Sequence, residues 1–291
     1  MRNLSRIFII AVAFFSLFGS SVLVQAEEVK VNYPLVPSPA PKVLGQKEVG
    51  QCACGPCAIF NAFQFGGAPL NTLASTLPGD TSADKVRSLI QMYGSKPSVN
   101  VHGQPRYLPD GGMSDADLVP FINDWLADKD ASLIKGERLT IQNNETPKGN
   151  LQRVYNELSH SLAAGFPPVV NLQSYSERKN FFHHYWKWMD GHFVTVVAVQ
   201  KELPKDASKF SMSVADSQSG RVLQVFVSAG ENNSSTSLAK NEMRRSGKMT
   251  VPPAQGDSFL TIRSPRLEAI LTGHDAKSQR TICVLQYIAH R

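Results

Sequence analysis

The sequence predicts an α+β fold, and three observations carry that expectation. Apolar residues at helical spacing dominate residues 57–164, short runs of β-branched and aromatic residues dominate residues 168–289, and the two kinds of pattern do not alternate along the chain. Helices first and strands afterwards imply a helical half packed against a largely antiparallel β-sheet half, with a cleft between them.

In the helical half, the run AIFNAF after Cys57 reads as a buried helix stopped by Gly66 and Gly67. The segment SADKVRSLIQMYG reads as a second helix, with Thr81 and Asp84 as its capping pair. A third follows Ser114, where Leu118, Phe121, Ile122 and Trp125 recur at intervals of three and four. A fourth, from Asn150 to Ala164, places Leu151, Val154, Tyr155, Leu158 and Leu162 on one stripe and ends at Gly165.

In the other half, PVVNLQSY, HFVTVVAVQ, FSMSVAD, RVLQVFVS, FLTIRS and TICVLQYIA read as strands separated by polar turns. Residues 231–258 are polar and unpatterned, which predicts a mobile surface loop. No internal repeat is present.

Ahead of these elements, Arg2 and Arg6 precede the apolar run IFIIAVAFFSLFGSSVLV, and VQA ends at Ala26, the pattern of a secretory signal over residues 1–26. An exported product, periplasmic or extracellular, is expected. No later stretch reaches the length of a bilayer span, so no stable membrane anchor is expected after signal cleavage. Residues 27–49 are rich in proline and read as an extended lead-in, leaving residues 50–291 as one domain. The formal net charge is +6, two of those charges lie in the signal, and nothing in the rest points to nucleic acid.

Three of the four cysteines crowd into QCACGPC, residues 51–57. Four cysteines are too few for a disulfide scaffold in a chain this long, and their crowding points to chemistry. A cysteine nucleophile needs a depressed thiol pKa, a base, and donors for the oxyanion. Cys57, at the start of a predicted helix with Pro56 before it, meets the first need through the helix dipole. Gln51, six residues upstream, is placed to supply the oxyanion donor. His192 is taken to open the strand HFVTVVAVQ and to be the base, and Asp216, at the end of the next strand, to orient it. Of the other histidines, His102, His160, His274 and His290 lie in loops, on a helix or at the terminus, and His183 and His184 fall in the aromatic run FFHHYWKWMD. In that run Phe181, Phe182, Tyr185, Trp186 and Trp188 divide between core and a substrate subsite.

These residues resemble the papain-like cysteine peptidases, through QCACGPCAIF and GHFVTVVAV, over roughly residues 50–220. The CGP element, the segment AAGFPPVVNL and an aspartate as third member are most similar to the bacteriocin-leader (double-glycine) processing peptidases and their exported relatives. The resemblance implies a papain-like fold with the cleft between its halves, a cysteine peptidase or related amide hydrolase or acyl transferase, and a peptide or protein substrate. It implies Cys57 as nucleophile, His192 as base, Asp216 as third member, Gln51 as oxyanion glutamine, and no cofactor or metal. In the leader-processing group, however, the nucleophile directly precedes Gly-Pro. That register selects Cys54, the alternative nucleophile, with Glu48 at the six-residue offset and Gln46 as the nearest glutamine.

Other readings compete. Cys54 and Cys57 form CGPC, the motif of thioredoxin-like oxidoreductases, although no hydrophobic strand precedes it. The two thiols would form a disulfide on oxidation; alternatively Cys52 or Cys54 would pair with Cys283. Zinc binding by C-x-C-x-x-C lacks a second cysteine pair at ligand spacing. An inactive, enzyme-shaped binding protein keeps the same residues.

Overall fold

The computed structural model describes residues 31–32, 40–142, 144–179, 184–229, 238–239, 241–244, 247–250, 260–272 and 281–291. The signal segment, Phe181, Phe182, His183 and His274 lie outside them, as do the side chains of His184 and Tyr185.

Among the described residues there are six α-helices: α1 (Cys54–Phe65), α2 (Ala68–Ser75), α3 (Ser82–Leu89), α4 (Asp115–Ala127), α5 (Pro147–Ala163) and α6 (Pro265–Thr272). Four match the sequence expectation, and their starts have the expected chemistry. Thr81 and Asp84 form a reciprocal capping box on α3, Ser114 accepts from the Asp117 N–H at the start of α4, and Thr146 caps α5 ahead of Pro147. Helices α2 and α6, eight residues each, are additional to the four expected. Helix α1 begins three residues earlier than the apolar run suggests, which moves Cys54 to its first position.

The strands are β1 (Val31–Asn32), β2 (Tyr107–Leu108), β3 (Gly112–Met113), β4 (Lys135–Arg138), β5 (Val169–Lys179), β6 (His184–Gln200), β7 (Lys209–Asp216), β8 (Arg221–Ala229), β9 (Leu238–Ala239), β10 (Asn241–Arg244), β11 (Gly247–Thr250), β12 (Leu260–Arg263) and β13 (Thr281–His290). Part of the expected surface loop is therefore a hairpin, β10 with β11.

The principal sheet runs β6-β5-β13-β12-β8-β7, every pair antiparallel, and β7 pairs again with β6 through Thr195–Ala215 and Val199–Met212. Six strands thus close into a barrel. This corrects the papain-like expectation of a helical half packed against a largely antiparallel β-sheet half with a cleft between them: the protein has a barrel-containing α+β fold. Closure follows from long-range pairings that local patterns do not encode, namely β13 with both β5 and β12, and β12 with β8.

Strand alternation explains the two large apolar clusters. Val194 and Val196 of β6, Met212 and Val214 of β7, Val225 and Val227 of β8, Ile262 of β12 and Leu285 of β13 share one cluster with the stripe of α5. Phe193, Val169, Tyr287 and Ala289 turn the other way and pack with α1, α3 and α4. Burial on both faces is why these strands read as near-continuous apolar runs.

The lead-in also joins the domain. Val43 and Leu44 are buried, and the buried Asn61 of α1 accepts from the Leu44 N–H at 2.9 Å and donates to its carbonyl at 3.4 Å. Packing thus begins several residues before Gly50.

Candidate functional site

Helix α1 lies on β6 with its N-terminus toward the middle of that strand. The Thr195 hydroxyl donates to the Ala58 carbonyl at 2.6 Å, and a Cβ on Gly55 would stand 3.4 Å from the Phe193 ring. Three residues before Thr195 is His192, and four before Ala58 is Cys54, so the two are brought together by the same contact. His192 does not open its strand as expected. It sits inside β6, because the aromatic run ahead of it continues the ladder against β5 as far as Lys179–His184, with a bulge after Ser174.

Cys54 is half-buried at the first position of α1 and lines the same cavity as His192, close enough for the imidazole to act on its thiol. His192 is 5% exposed, and its Nε2 lies 2.6 Å from Asp216 Oδ1. With Nε2 committed to Asp216, Nδ1 is the ring nitrogen left for the thiol. Asp216, fully buried at the end of β7, is itself held by the N–H groups of Gln218 to Oδ1 and Ser219 to Oδ2, both at 2.9 Å. The sequence expectation for His192 and Asp216 thus meets a direct contact.

Burial by itself would raise the Cys54 thiol, but the hydrogen bond and charge of His192, then the backbone at Phe193 and Gly55, hold it below the ordinary value. Burial would lower His192, yet the hydrogen bond to Asp216, then Cys54, push it up to about 10. Asp216 is lowered despite its burial, first by the His192 hydrogen bond and charge.

Cys57 is placed differently from the sequence expectation. It lies one helical turn further in, fully buried in the apolar cluster with Phe60 and Phe63, and burial drives its thiol far above the ordinary range. It does not line the cavity with His192, whereas Cys54, the alternative nucleophile, does. The physical reason is the early start of α1, which puts Cys54 at the solvent end. All four cysteines are free thiols; Cys283 is buried in β13.

A cavity of about 830 Å³ opens over Cys54 and His192. Gln51 lines it, as expected, but is exposed. Gln46, the nearest glutamine in the Cys54 register, lines it too. Gln46 is 6% exposed. Its N–H donates to Ser217 O at 2.8 Å, its Nε2 donates to Gln51 O at 2.8 Å, and its Oε1 accepts from the Ser217 hydroxyl at 3.2 Å. Ser217 follows Asp216, so one network ties Gln46 to the third member of the chain. The signal available beforehand was its pairing with the Cys54 register.

The far wall comes from the hairpin of β2 and β3. Gly112 has φ +68, and a Cβ there would stand 3.1 Å from Cys52 O, so both its conformation and its close approach favour glycine. Of the aromatic run, Trp188 lines the cavity, whereas Trp186 is buried with Tyr175 and Val284. His290 is buried against Glu157, away from the site. Among the described residues no cluster of His, Cys, Asp or Glu is arranged to hold a metal ion, and no helix is long and apolar enough to cross a membrane.

Comparison with protein-family models, curated proteins and solved structures found no match to this chain.

Proposed function

We propose that the protein is an exported thiol hydrolase, a cysteine peptidase, in which Cys54 is the nucleophile, His192 the acid and base, and Asp216 the residue that orients His192. The observation that carries this reading is the His192–Asp216 contact at 2.6 Å, with Cys54 at the start of α1 lining the same open cavity as His192 and its thiol lowered by the imidazole. A structural histidine would satisfy both nitrogens just as well. It would not need a half-buried cysteine at a helix N-terminus as its partner, with the thiol below its ordinary pKa.

In this reading the Cys54 thiolate forms a C–S bond to the substrate carbonyl carbon, and the carbonyl π electrons move to oxygen. The oxyanion is held by the first N–H groups of α1, which have no carbonyl partner within the helix, and by a glutamine amide. Gln46 suits this role better than Gln51 because it is already rigid and retains a second amide hydrogen beyond the one given to Gln51 O. The C–N bond then breaks, and the leaving amine takes the proton from imidazolium. A water molecule attacks the thioester, His192 accepts its proton, and the thiol returns.

Iodoacetamide labelling at neutral pH, read by intact mass and peptide mapping, tests the reading. Cys54 labels faster than a free thiol, and His192→Ala removes the acceleration. Labelling of Cys54 at the same rate in both proteins, or catalysis of insulin disulfide reduction that survives His192→Ala, refutes it.

A further inference from the structure

The cavity differs in charge from the chain around it. The formal net charge of the chain is +6, yet Asp110, Asp115 and Asp190 line the cavity and, among the described residues, no Lys or Arg does. Carboxylates alone do not make a site, but a neighbouring neutral residue does.

Asn171 is 6% exposed and lines the same cavity. Its Nδ2 donates to Asp115 Oδ1, which fixes the amide orientation, because the opposite rotamer would turn a carbonyl oxygen against a carboxylate. Asn171 Oδ1 is then a buried acceptor with no donor among the described residues. Such a group is left unpaired at a cost unless something outside the chain supplies a donor.

The register shows where that donor would come from. Asn171 pairs with Phe193, Gln173 with Gly191 and Leu172 with His192. A Cβ on Gly191 would stand 3.7 Å from Asn171 Oδ1 and 3.9 Å from Gln173 Cγ, with nothing closer. A side chain at 191 would pack against the acceptor, and glycine there keeps one off it, in the position next to His192.

We propose that Asn171, Gly191 and Asp190 form a specificity subsite for a lysine or arginine side chain of the substrate. Asn171 Oδ1 accepts an N–H from the cationic group, and Asp190 and Asp110 supply the opposing charge. This rests on the thiol-hydrolase reading and adds the substrate class to it.

The test uses the full mature chain and three peptidyl acyloxymethyl ketones that differ in one residue beside the reactive carbonyl: lysine, norleucine or glutamate. The rate of Cys54 modification is read by intact mass. One charge-assisted hydrogen bond predicts that the lysine probe reacts roughly tenfold or more faster than norleucine, and glutamate slowest. Asn171→Leu and Asp190→Asn each reduce the ratio of the lysine rate to the norleucine rate. Asp190 is exposed, so Asp190→Asn carries the test should Asn171→Leu fail to fold. Equal lysine and norleucine rates, with Cys54 still labelled rapidly, overturn the subsite and leave the thiol reading standing. Failure of every probe to label Cys54 faster than a free thiol overturns both.

Discussion

The hydroxyl of Thr195 and the carbonyl of Ala58 meet at 2.6 Å, and this contact joins the site's two halves. It fixes the height of α1 on β6, and hence which residue at the helix start lies level with His192.

Removing that contact should therefore be felt at the thiol as well as in stability. Thr195→Val keeps the shape and loses the donor, at a cost of about 1 kcal/mol in urea unfolding. Slower alkylation of Cys54 at neutral pH is expected with it, since the Cys54–His192 contact loosens. An unchanged alkylation rate beside a normal loss of stability would show that other packing suffices.

The two cysteines of CGPC should separate cleanly. Cys54→Ala abolishes rapid labelling and hydrolysis. Cys57→Ala keeps both and loses about 1 kcal/mol from a buried apolar contact, measured by thermal or urea unfolding. The reverse pattern would restore Cys57 as the reactive thiol.

The pH dependence follows from the directions of the shifts. The Cys54 thiol titrates below its ordinary value, so the alkylation rate climbs as pH rises through that lowered value, at lower pH than for a free thiol. Hydrolysis also needs the imidazolium proton, and it declines as pH rises through about 10, where His192 loses it. Asp216→Asn removes the largest contribution raising His192, so the alkaline limb moves toward neutrality. Each unit of that movement corresponds to about 1.4 kcal/mol. A limb that stays in place would show that Asp216 does not act on His192.

The same shift bears on stability. The folded His192 binds its proton more tightly than the unfolded chain does, so its contribution is complete below about 6.5 and is lost as pH rises through about 10. Urea midpoints should fall across that window in the wild type and much less in His192→Ala.

Gln46 and Gln51 make opposite predictions under one assay. Gln46→Ala lowers turnover by roughly 10²–10³ if its amide stabilises the oxyanion, whereas Gln51→Ala has a small effect. Asn61→Ala should imitate a mild Gln46 defect, because it leaves the buried Leu44 N–H and carbonyl without their partner and releases the segment that carries Gln46. Its stability cost is about 2–3 kcal/mol, and comparison of turnover with unfolding separates the two effects.

What the amino-acid sequence determined by itself was local. Four helices, the main strands, the capping residues of α3, and the identities of His192 and Asp216 as partners were all legible, because each depends on spacing within one element or between two consecutive strands. Tertiary structure alone decided which cysteine faces the cavity. Cys54 and Cys57 are three residues apart, so they share nearly one helix face and differ by about 4.5 Å in depth, and periodicity reports the face without the depth. Barrel closure was hidden for a related reason. Alternation in β5, β12 and β13 says which side chains turn inward, whereas the choice of partner strand, more than a hundred residues away for β5 and β13, is made by packing of the whole molecule.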